Sequence, residues 1–276
     1  MPASPNLASS TGATLSEDQI HDLIHRASER DLANDRQQRD YTYVERAEEK
    51  KLDGDGQVKS TESKTHEVMD LYGEQVRRLI AKDDQPLSSQ QAAKEEARIQ
   101  KVVERRKNES DDERNKRRER EEKDHEQARE FVKEVNDAYN FHLAGMESLQ
   151  GRDAYVIDAE PRPGYEPHSK DAKFLPKFRF RVWIDKADEE WVKLDATCID
   201  TVSLGWFIAR VHQGSRVLVE QTRVNDEVWL PKSVAMKLDA RVLFKGLNIE
   251  ENIGYRDYQK FRAATKIVPA DAAEPH

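Results

Sequence analysis

Several residues have the chemical types that catalysis or metal binding needs, but their spacing favours other roles. His21 and His25 lie four residues apart in a segment with helical periodicity, which is the spacing of a metal-binding pair. No third ligand follows nearby, so we interpret both as surface side chains. Asp53-Gly-Asp-Gly56 resembles a calcium loop, but the spaced ligands and closing Glu of an EF-hand are absent, and Asp-Gly repeats favour a hairpin turn.

Acidic residues and one thiol near the predicted strands give no support for an enzyme. Asp185, Asp195 and Asp200 carry the carboxylates that acid–base catalysis uses, but carboxylates on a highly charged sheet are more often solvated. Cys198, the only cysteine, alternates in register with apolar residues, which predicts a buried structural thiol. The sequence contains no nucleophile elbow and no glycine-rich phosphate loop. We therefore expect a protein without catalytic residues, metal site or cofactor.

Charged residues are unevenly distributed along the chain. They make up 36% of it, against about a quarter in an average protein, so part of the chain must lie outside the main core. Residues 86–134 are such a part. Ser88 with Gln91 and Ser110 with Glu113 fit capping boxes, which predict two helices that meet near residue 109. We expect the base of this helical insertion to touch the body of the protein and its tip to be solvated.

The same insertion contains basic residues that could suggest a nucleic-acid site. Arg117-Arg-Glu-Arg120 is the strongest candidate, but acidic residues such as Glu121, Glu122 and Asp124 cancel much of its positive field. The run contains no aromatic side chains for base stacking, and the whole chain has a net charge of -8. We therefore expect no nucleic-acid partner.

Hydrophobic periodicity predicts an α+β fold that is mostly antiparallel β-sheet. Ser16 with Gln19 begins an N-terminal helix with one apolar stripe. From Tyr41 the period changes to two, and from Tyr139 onward strands follow one another at hairpin distance, which leaves no room for parallel crossovers. About ten strands in one meander must curl, close or split. We therefore predict a strongly curved, half-open β-barrel with a helix against one face.

These patterns divide the chain into five segments. Residues 1–14 and 266–276 are predicted to be disordered termini. Residues 15–85 hold the N-terminal helix and the first strands, 86–134 the charged insertion, and 135–265 the remaining strands of the half-barrel. The sequence contains no run of about 18 apolar residues, so it predicts no transmembrane helix. The first residues lack the basic and apolar regions of a secretory signal, so either the protein is cytoplasmic or a signal has been removed.

One connecting segment, from Val202 to Val211, is unusually apolar. Connections normally run over the surface and are polar. An apolar connection must be buried, line a cavity, or face a membrane or partner. Both a loop tucked into the core and a cavity rim that meets cargo or membrane fit this pattern.

Several strand motifs resemble the outer-membrane lipoprotein-sorting family of LolA/LolB-like periplasmic carriers. The motifs are Phe180-Arg-Val-Trp-Ile-Asp-Lys186 followed by Trp191-Val-Lys-Leu194, then Asn225-Asp-Glu-Val-Trp-Leu-Pro-Lys232, then Tyr255-Arg-Asp-Tyr-Gln-Lys-Phe261. They look like that family's WID strand, its vWLP strand and its closing Y-dY-kF strand, in the same order. The resemblance spans roughly residues 15–265 in element order. The charged insertion lies outside the usual outline of these carriers, so the resemblance is to a divergent member.

The resemblance implies a non-enzymatic periplasmic carrier whose concave apolar face, lidded by helices, shelters the acyl chains of lipids or lipoproteins. Each buried methylene contributes about 0.8 kcal/mol, so such cargo needs a covered apolar cleft to cross water. Peripheral membrane contact and an envelope protein partner at the insertion are compatible with this role. The candidate residues of the cavity or its rim are Phe178, Phe180, Val182, Ile184, Leu204, Trp206, Phe207, Ile208, Leu230, Val234, Met236, Leu238, Val242 and Phe244.

The same residues also fit a second interpretation. They would then fill a closed core, and the protein would be a cell-envelope scaffold whose helical insertion docks a partner protein. The sequence pattern of an amphipathic strand is the same whether its apolar face meets other side chains or cargo. Both interpretations therefore stay open at the level of sequence.

Overall fold

The computed structural model describes residues 15–169, 171–204, 209–243 and 245–260 of the chain. The termini predicted to be disordered, 1–14 and 266–276, lie outside these ranges. The helices are α1 (Glu17–Gln38), α2 (Ser89–Lys107), α3 (Asp111–Ala138) and a 3-10 helix (Asp171–Lys177). The strands are β1 (Tyr41–Leu52), β2 (Val58–Leu71), β3 (Glu74–Lys82), β4 (Gln85–Pro86), β5 (Tyr139–Leu149), β6 (Arg152–Pro161), β7 (Phe178–Asp185), β8 (Trp191–Cys198), β9 (Val202–Leu204), β10 (Ala209–Val211), β11 (Arg216–Val224), β12 (Val228–Val242) and β13 (Lys245–Lys260).

The strands form one open, curved antiparallel sheet, and this confirms the predicted fold class. Their order is β4-β3-β2-β1-β13-β12-β11-β8-β7-β6-β5, and β9 and β10 form a short hairpin that pairs with β12. Among the described strands, the edges β4 and β5 do not pair with each other, so the barrel stays unclosed. The N-terminal helix α1 contacts β5, β8 and β12 and covers one face. No helix in the described part of the chain has both the length and the apolar character needed to cross a membrane.

The predicted capping box at Ser16 begins α1. The Ser16 hydroxyl accepts a hydrogen bond from the Gln19 backbone at 3.2 Å, and the Gln19 side chain accepts one from the Ser16 backbone at 2.8 Å. One face of the helix then packs on the sheet. This face forms the main hydrophobic core together with residues of β5 to β7, and its members on the helix are Ile20, Leu23, Ile24 and Ala27.

The helical insertion connects the two opposite edges of the sheet. The chain leaves the sheet at β4, runs through α2 and α3, and enters it again at β5. Both helices begin at the predicted capping boxes, where the hydroxyls of Ser88 and Ser110 accept hydrogen bonds from the backbone of Gln91 and Glu113 at 3.3 Å each. The two helices meet at residues 108–110, as predicted.

Most of the tip of the insertion is exposed, as predicted, but a few of its side chains also dock on β3. At the junction of α2 and α3, the carboxylate of Glu74 accepts hydrogen bonds from Arg105 at 2.6 Å and Arg106 at 2.7 Å. Glu109 pairs with Arg106 and with Arg117, and its side chain is only 10% exposed. A charged segment can dock where its charges form ion pairs with another part of the fold. The partner here, Glu74 of β3, is about 30 residues away in sequence, so the local pattern of the insertion does not predict it.

The Asp-Gly repeat forms the predicted turn between β1 and β2. The Asp53 carboxylate accepts hydrogen bonds from the backbone of Asp55 at 3.0 Å and Gln57 at 2.8 Å. Gly56 has a φ of 79°, a conformation in which glycine has no Cβ to strain. Because the Asp53 carboxylate is occupied by the turn itself, the turn interpretation accounts for this motif.

Candidate functional site

An apolar cavity of about 540 Å³ lies between the helices and the concave face of the sheet. Strands β7, β8 and β11 form its floor, while α1, the last third of α3 and the 3-10 helix form its cover. We call this space the apolar cavity. Its lining residues are Ile24, Ala27, Ser28, Asp31, Leu32, Ala128, Phe131, Val132, Val135, Tyr139, Phe174, Leu175, Phe178, Phe180, Val182, Ile184, Trp191, Leu194, Ala196 and Val217.

The floor of the cavity follows from the alternation of β7. Successive strand residues point to opposite faces, so Phe178, Phe180, Val182 and Ile184 all face the concave side. Ile184 is fully buried and Val182 nearly so, whereas both phenylalanines are only half-buried. The floor is therefore packed tightly at one end of β7 and left open at the other.

The register of the neighbouring strands widens this floor. Ala196 of β8 pairs with Phe180 on one side and with Val217 of β11 on the other. Paired residues share a face of an antiparallel sheet, and all three residues line the cavity. Ala196 is the smallest of them, so it leaves space in the middle of the floor.

The cover of the cavity comes from the apolar end of α3. Most of this helix is charged, but large apolar residues occur again near its end, at Phe131, Val132 and Val135. All three line the cavity and are only half-buried. Phe174 of the 3-10 helix stacks near Phe131, with ring centroids 6.0 Å apart, and is 37% exposed. These side chains form a lip that solvent can reach.

A hydrogen-bonded carboxylate holds the loop before the 3-10 helix against α3. Glu134 accepts hydrogen bonds from the Tyr165 hydroxyl at 2.9 Å and from the Ser169 hydroxyl at 2.8 Å, and from the backbone of His168. Burial would raise the pKa of Glu134, but these donors outweigh it and hold the pKa below its usual value. The carboxylate therefore stays ionised and holds this loop, which leads into the 3-10 helix, against α3.

A buried polar cluster adjoins one end of the cavity, and we call it the polar end. Asp31 lines the cavity, and Asn34, Glu190 and Gln221 lie just outside the described lining. The Gln221 side chain donates a hydrogen bond to Asp31 at 3.0 Å. Asn34, Glu190 and Gln221 are each more than nine-tenths buried. Burial raises the pKa of Asp31, and it raises the pKa of Glu190 to about 7. These groups form a polar boundary beside a mainly apolar cavity.

The structure separates the predicted site residues into groups. The four residues of β7 line the cavity together. Leu230 instead packs in a separate cluster with Tyr41 and Val228. Val234, Met236 and Leu238 are half-buried, Val242 is 40% exposed, and these residues lie outside the described lining of the cavity. Their predicted place beside the β7 residues is therefore not observed, because β12 lies one strand beyond β11, the last strand of the floor.

The predicted rim falls mostly on residues that the structure does not describe. Trp206, Phe207, Ile208 and Phe244 lie outside the described ranges, as does the side chain of Leu204. The ends of this apolar segment are the short strands β9 and β10, so its described part is a hairpin. The contribution of these residues to a rim stays a prediction.

Sequence reasoning missed the residues that cover the cavity. Trp191 and Leu194 of β8 were noted only as part of a family motif, and the apolar residues of α3 only as the base of an insertion. The return of apolar residues at Phe131, Val132 and Val135 was the available signal, since this spacing gives one helical face. Asp31 had no such signal, because a single acidic residue on a helix is ordinarily solvated.

The residues first considered for catalysis have structural partners. Asp185 binds Arg152 at 2.6 and 2.8 Å, Asp195 pairs with Arg216, and Asp200 pairs with Lys177. Asp200 is 62% exposed, as the predicted solvated state requires, whereas Asp185 and Asp195 are 2% and 17% exposed and correct that prediction. Cys198 is fully buried, as predicted, and its thiol contacts the Asp200 carbonyl oxygen at 3.0 Å.

The histidine pair on α1 does not form part of a metal cluster in the described residues. The ring of His21 packs edge-on against Phe141, with centroids 5.1 Å apart, so it is half-buried rather than a free surface side chain. Within the described ranges, no group of three or more potential metal-binding side chains is found. The helix uses His21 for packing.

Comparisons with known proteins give structural neighbours only. No protein-family model and no curated protein matches the chain. A DUF1329 family protein from Desulfovibrio piger is 12% identical, with 90% of this chain and 95% of that chain covered and a TM-score of 0.33. A putative outer membrane lipoprotein-sorting protein domain from Vibrio parahaemolyticus is 11% identical, with 88% and 95% covered and a TM-score of 0.35. A LolA superfamily protein from Nitrosomonas europaea is 10% identical, with 90% and 94% covered and a TM-score of 0.29.

Proposed function

We propose that this protein is a non-enzymatic carrier that binds the acyl chains of lipids or lipoproteins in the apolar cavity. The observation that carries the proposal is the cavity itself, with about 540 Å³ of space under two helices and an almost wholly apolar lining. Small-molecule sites have volumes of about 300–1,000 Å³ and a mainly apolar lining with few polar groups. The cavity meets both criteria.

The exposure of the lining residues supports binding over simple core packing. Protein interiors are close-packed, with few voids larger than a water molecule. The large side chains of Phe131, Phe178 and Phe180 are only half-buried, although they lie between two layers of the fold. An acyl chain in this space would remove their remaining apolar surface from water, and each buried methylene would contribute about 0.8 kcal/mol.

We place this carrier in the periplasm and expect it to act without a cofactor or nucleic-acid partner. The support for this placement is the sequence resemblance to periplasmic lipoprotein-sorting carriers. Contact with a membrane surface or an envelope protein would be required for the cargo to enter and leave. The lip at Phe174, where the cover reaches solvent, is the natural place for this transfer.

The alternative function is a cell-envelope scaffold with a filled core. It requires the concave face to be packed, and a cavity of about 540 Å³ does not suit that requirement. It also requires a free surface on the insertion. Glu74 engages the junction of α2 and α3, but most positions of the insertion stay exposed, so the cavity is what distinguishes the two functions.

Filling the cavity from its floor is the most direct test. In Ala196→Trp the new indole would occupy the space between Phe180 and Val217, so cargo should be lost while the fold is kept. Ala235→Trp is the matched control. Ala235 pairs with Leu218, the neighbour of Val217, and therefore points to the opposite face of the sheet.

The measurement is uptake of the neutral fluorescent probe N-phenyl-1-naphthylamine by the full chain, followed by native mass spectrometry for co-purified lipid. We expect uptake by the native protein and by Ala235→Trp, and a loss of about tenfold or more in affinity for Ala196→Trp. Circular dichroism establishes that each variant is folded. If the native chain takes up no probe and carries no lipid, or if Ala196→Trp binds as well as the control, the carrier function is wrong.

A further inference from the structure

We propose that the polar end of the cavity recognises a cationic ammonium headgroup, so that the protein selects ammonium-bearing amphiphiles over anionic ones. This inference rests on the proposed function, because it names the class of molecule that the cavity takes. It comes from a part of the site that chain binding does not need.

The polar end lies beyond the apolar lining on each of three elements. On α1, Asp31 lines the cavity and Asn34 follows one turn later. Glu190 immediately precedes β8 and its first residue, Trp191, which lines the cavity. On β11, Gln221 lies four residues after Val217. Because β8 and β11 are antiparallel, these ends of the two strands lie side by side. The polar residues therefore meet at a single end of the apolar cavity.

Three of these side chains have buried atoms that lack a partner. Within the described part of the chain, Asn34 Nδ2, Glu190 Oε2 and Gln221 Oε1 have no hydrogen-bond partner within 3.5 Å. The Asn34 amide still lies close enough to Glu190 to lower its pKa, so the two oxygens are the atoms most in need of a donor. The residues are 7%, 8% and 4% exposed, respectively. A buried polar group without a partner costs about 1–3 kcal/mol, so natural proteins rarely leave several together unless another group binds there.

The chemistry of the unpartnered atoms favours a ligand group that is positively charged and donates hydrogen bonds. Two of the three unpartnered atoms are oxygens that accept hydrogen bonds, and Asp31 adds a second carboxylate next to them. An ammonium group has three donors and no acceptor, which complements this set. Arg30, whose charge acts on Glu190, is already engaged by Glu189 and by the Asp188 carbonyl oxygen. An anionic headgroup would instead face two carboxylates at close range.

The test compares headgroups on one chain length. Dodecylammonium, dodecanoate and dodecanol are each used to displace N-phenyl-1-naphthylamine from the full native chain, at about pH 8, where Glu190 is ionised. Dodecanol reports the contribution of the chain alone. We expect dodecylammonium to bind about tenfold more tightly than dodecanoate, as two charge-assisted hydrogen bonds allow.

Matched variants assign the preference to the polar end. In the double variant Asp31→Asn with Glu190→Gln, the ratio of the two affinities should fall to about one, because both charges are removed without a change in shape. The control is Asp18→Asn with Glu29→Gln, which removes the same two charges from exposed positions on α1. The control should keep the native ratio, which excludes general attraction of cations to an acidic protein.

The outcomes separate this inference from the proposed function. If probe and dodecanol bind but the native protein shows equal affinity for the two charged amphiphiles, headgroup selection is wrong and the carrier function stands. If the control variant loses the preference, or the double variant keeps it, selection by the polar end is also wrong. If neither probe nor any amphiphile binds, the carrier function and the inference both fail. The native measurement decides even if the double variant does not fold.

Discussion

The helices are attached to the sheet by different interactions at two ends of the molecule. At the cavity end, α1 and the last third of α3 cover β7 and β8 with apolar side chains, and space remains between the layers. At the hairpin end, which we define as β2, β3, α2 and the charged part of α3, ion pairs bridge helix and strand. Glu74 pairs there with arginines of α2, and Glu109 pairs with one arginine of α2 and one of α3.

The comparison shows where the stability and the function of the fold reside. Ion pairs at a partly exposed surface contribute little, because solvent screens them and side-chain entropy opposes them. Burial of apolar surface contributes far more for each side chain. The cavity end therefore supplies the stability of the helix layer even though it also contains the empty space. The hairpin end mainly sets where the two helices of the insertion lie.

The largest expected effect is on the packed floor of the cavity end. Ile184→Ala removes a fully buried side chain from the main core, so the free energy of unfolding should fall by about 2–4 kcal/mol. Ile80→Ala is the matched control on β3, where the side chain is 36% exposed, and should cost less than about 1 kcal/mol. Urea denaturation of both variants measures the difference. Equal losses would contradict the contrast between the two ends.

A second effect concerns pH at the polar end. Burial raises the pKa of Glu190 to about 7, and Asn34, Arg30, Asp31 and Asp188 are the neighbouring groups that act on it. The folded state favours the protonated carboxyl, so this stability is complete below the unfolded pKa of 4.5 and is lost as pH rises through about 7. The loss is on the order of 3 kcal/mol.

Glu190→Gln isolates this effect from the other carboxylates. The variant cannot ionise, so the difference in unfolding free energy between native and variant protein should change in the variant's favour from pH 5 to pH 8. Thermal denaturation at both pH values measures it. A difference that does not depend on pH would show that Glu190 titrates as an ordinary surface residue.

A third and smaller effect is expected at the hairpin end. Burial would raise the pKa of Glu74, but Arg105 and Arg106 outweigh it and hold the pKa below its usual value. Its ion pairs therefore stabilise the fold above the unfolded pKa and lose this effect at acid pH. Glu74→Gln should cost about 1 kcal/mol at neutral pH, and less in high salt because exposed charges are screened. Denaturation at low and high salt tests this, and a salt-independent cost above about 2 kcal/mol would contradict it.

The smallest effect on stability is expected at the lip of the cavity. Phe174→Ser removes an exposed ring, so unfolding should change by about 0.5 kcal/mol or less while affinity for the fluorescent probe falls several-fold. Tyr72→Ser is the control, because Tyr72 is an exposed aromatic residue, 56% accessible, in the β2–β3 hairpin. Probe titration should show no change for this control. Equal losses of affinity in both variants would mean that the lip has no special role.

Several features of the fold could be predicted because they depend on neighbours in the chain. The capping boxes at Ser16, Ser88 and Ser110 each join residues three positions apart, and all three begin helices. The alternation of β7 placed Phe178, Phe180, Val182 and Ile184 on one face, and the structure brings these residues together. Short connections between strands predicted antiparallel pairing, which every described pair shows.

The site itself could be predicted only in part. The β12 residues from Val234 to Leu238 have the same apolar alternation as β7, yet they lie outside the cavity. Their distance from it depends on the strand order, in which β11 and β8 lie between β12 and β7. Asp31 and Glu190 are ordinary acidic residues in the sequence. Their burial becomes visible only when α1 lies across β8 and β11.

By itself, the sequence determined where the three long helices begin, the antiparallel character of the sheet and the charge of the insertion. The tertiary structure alone decided that space remains under α1 and α3, that the insertion docks on Glu74, and that polar groups collect at one end of the cavity. The reason is physical. Helix caps and strand alternation arise from interactions over a few residues, whereas a cavity is the small volume left between large surfaces whose separation depends on every contact that positions them.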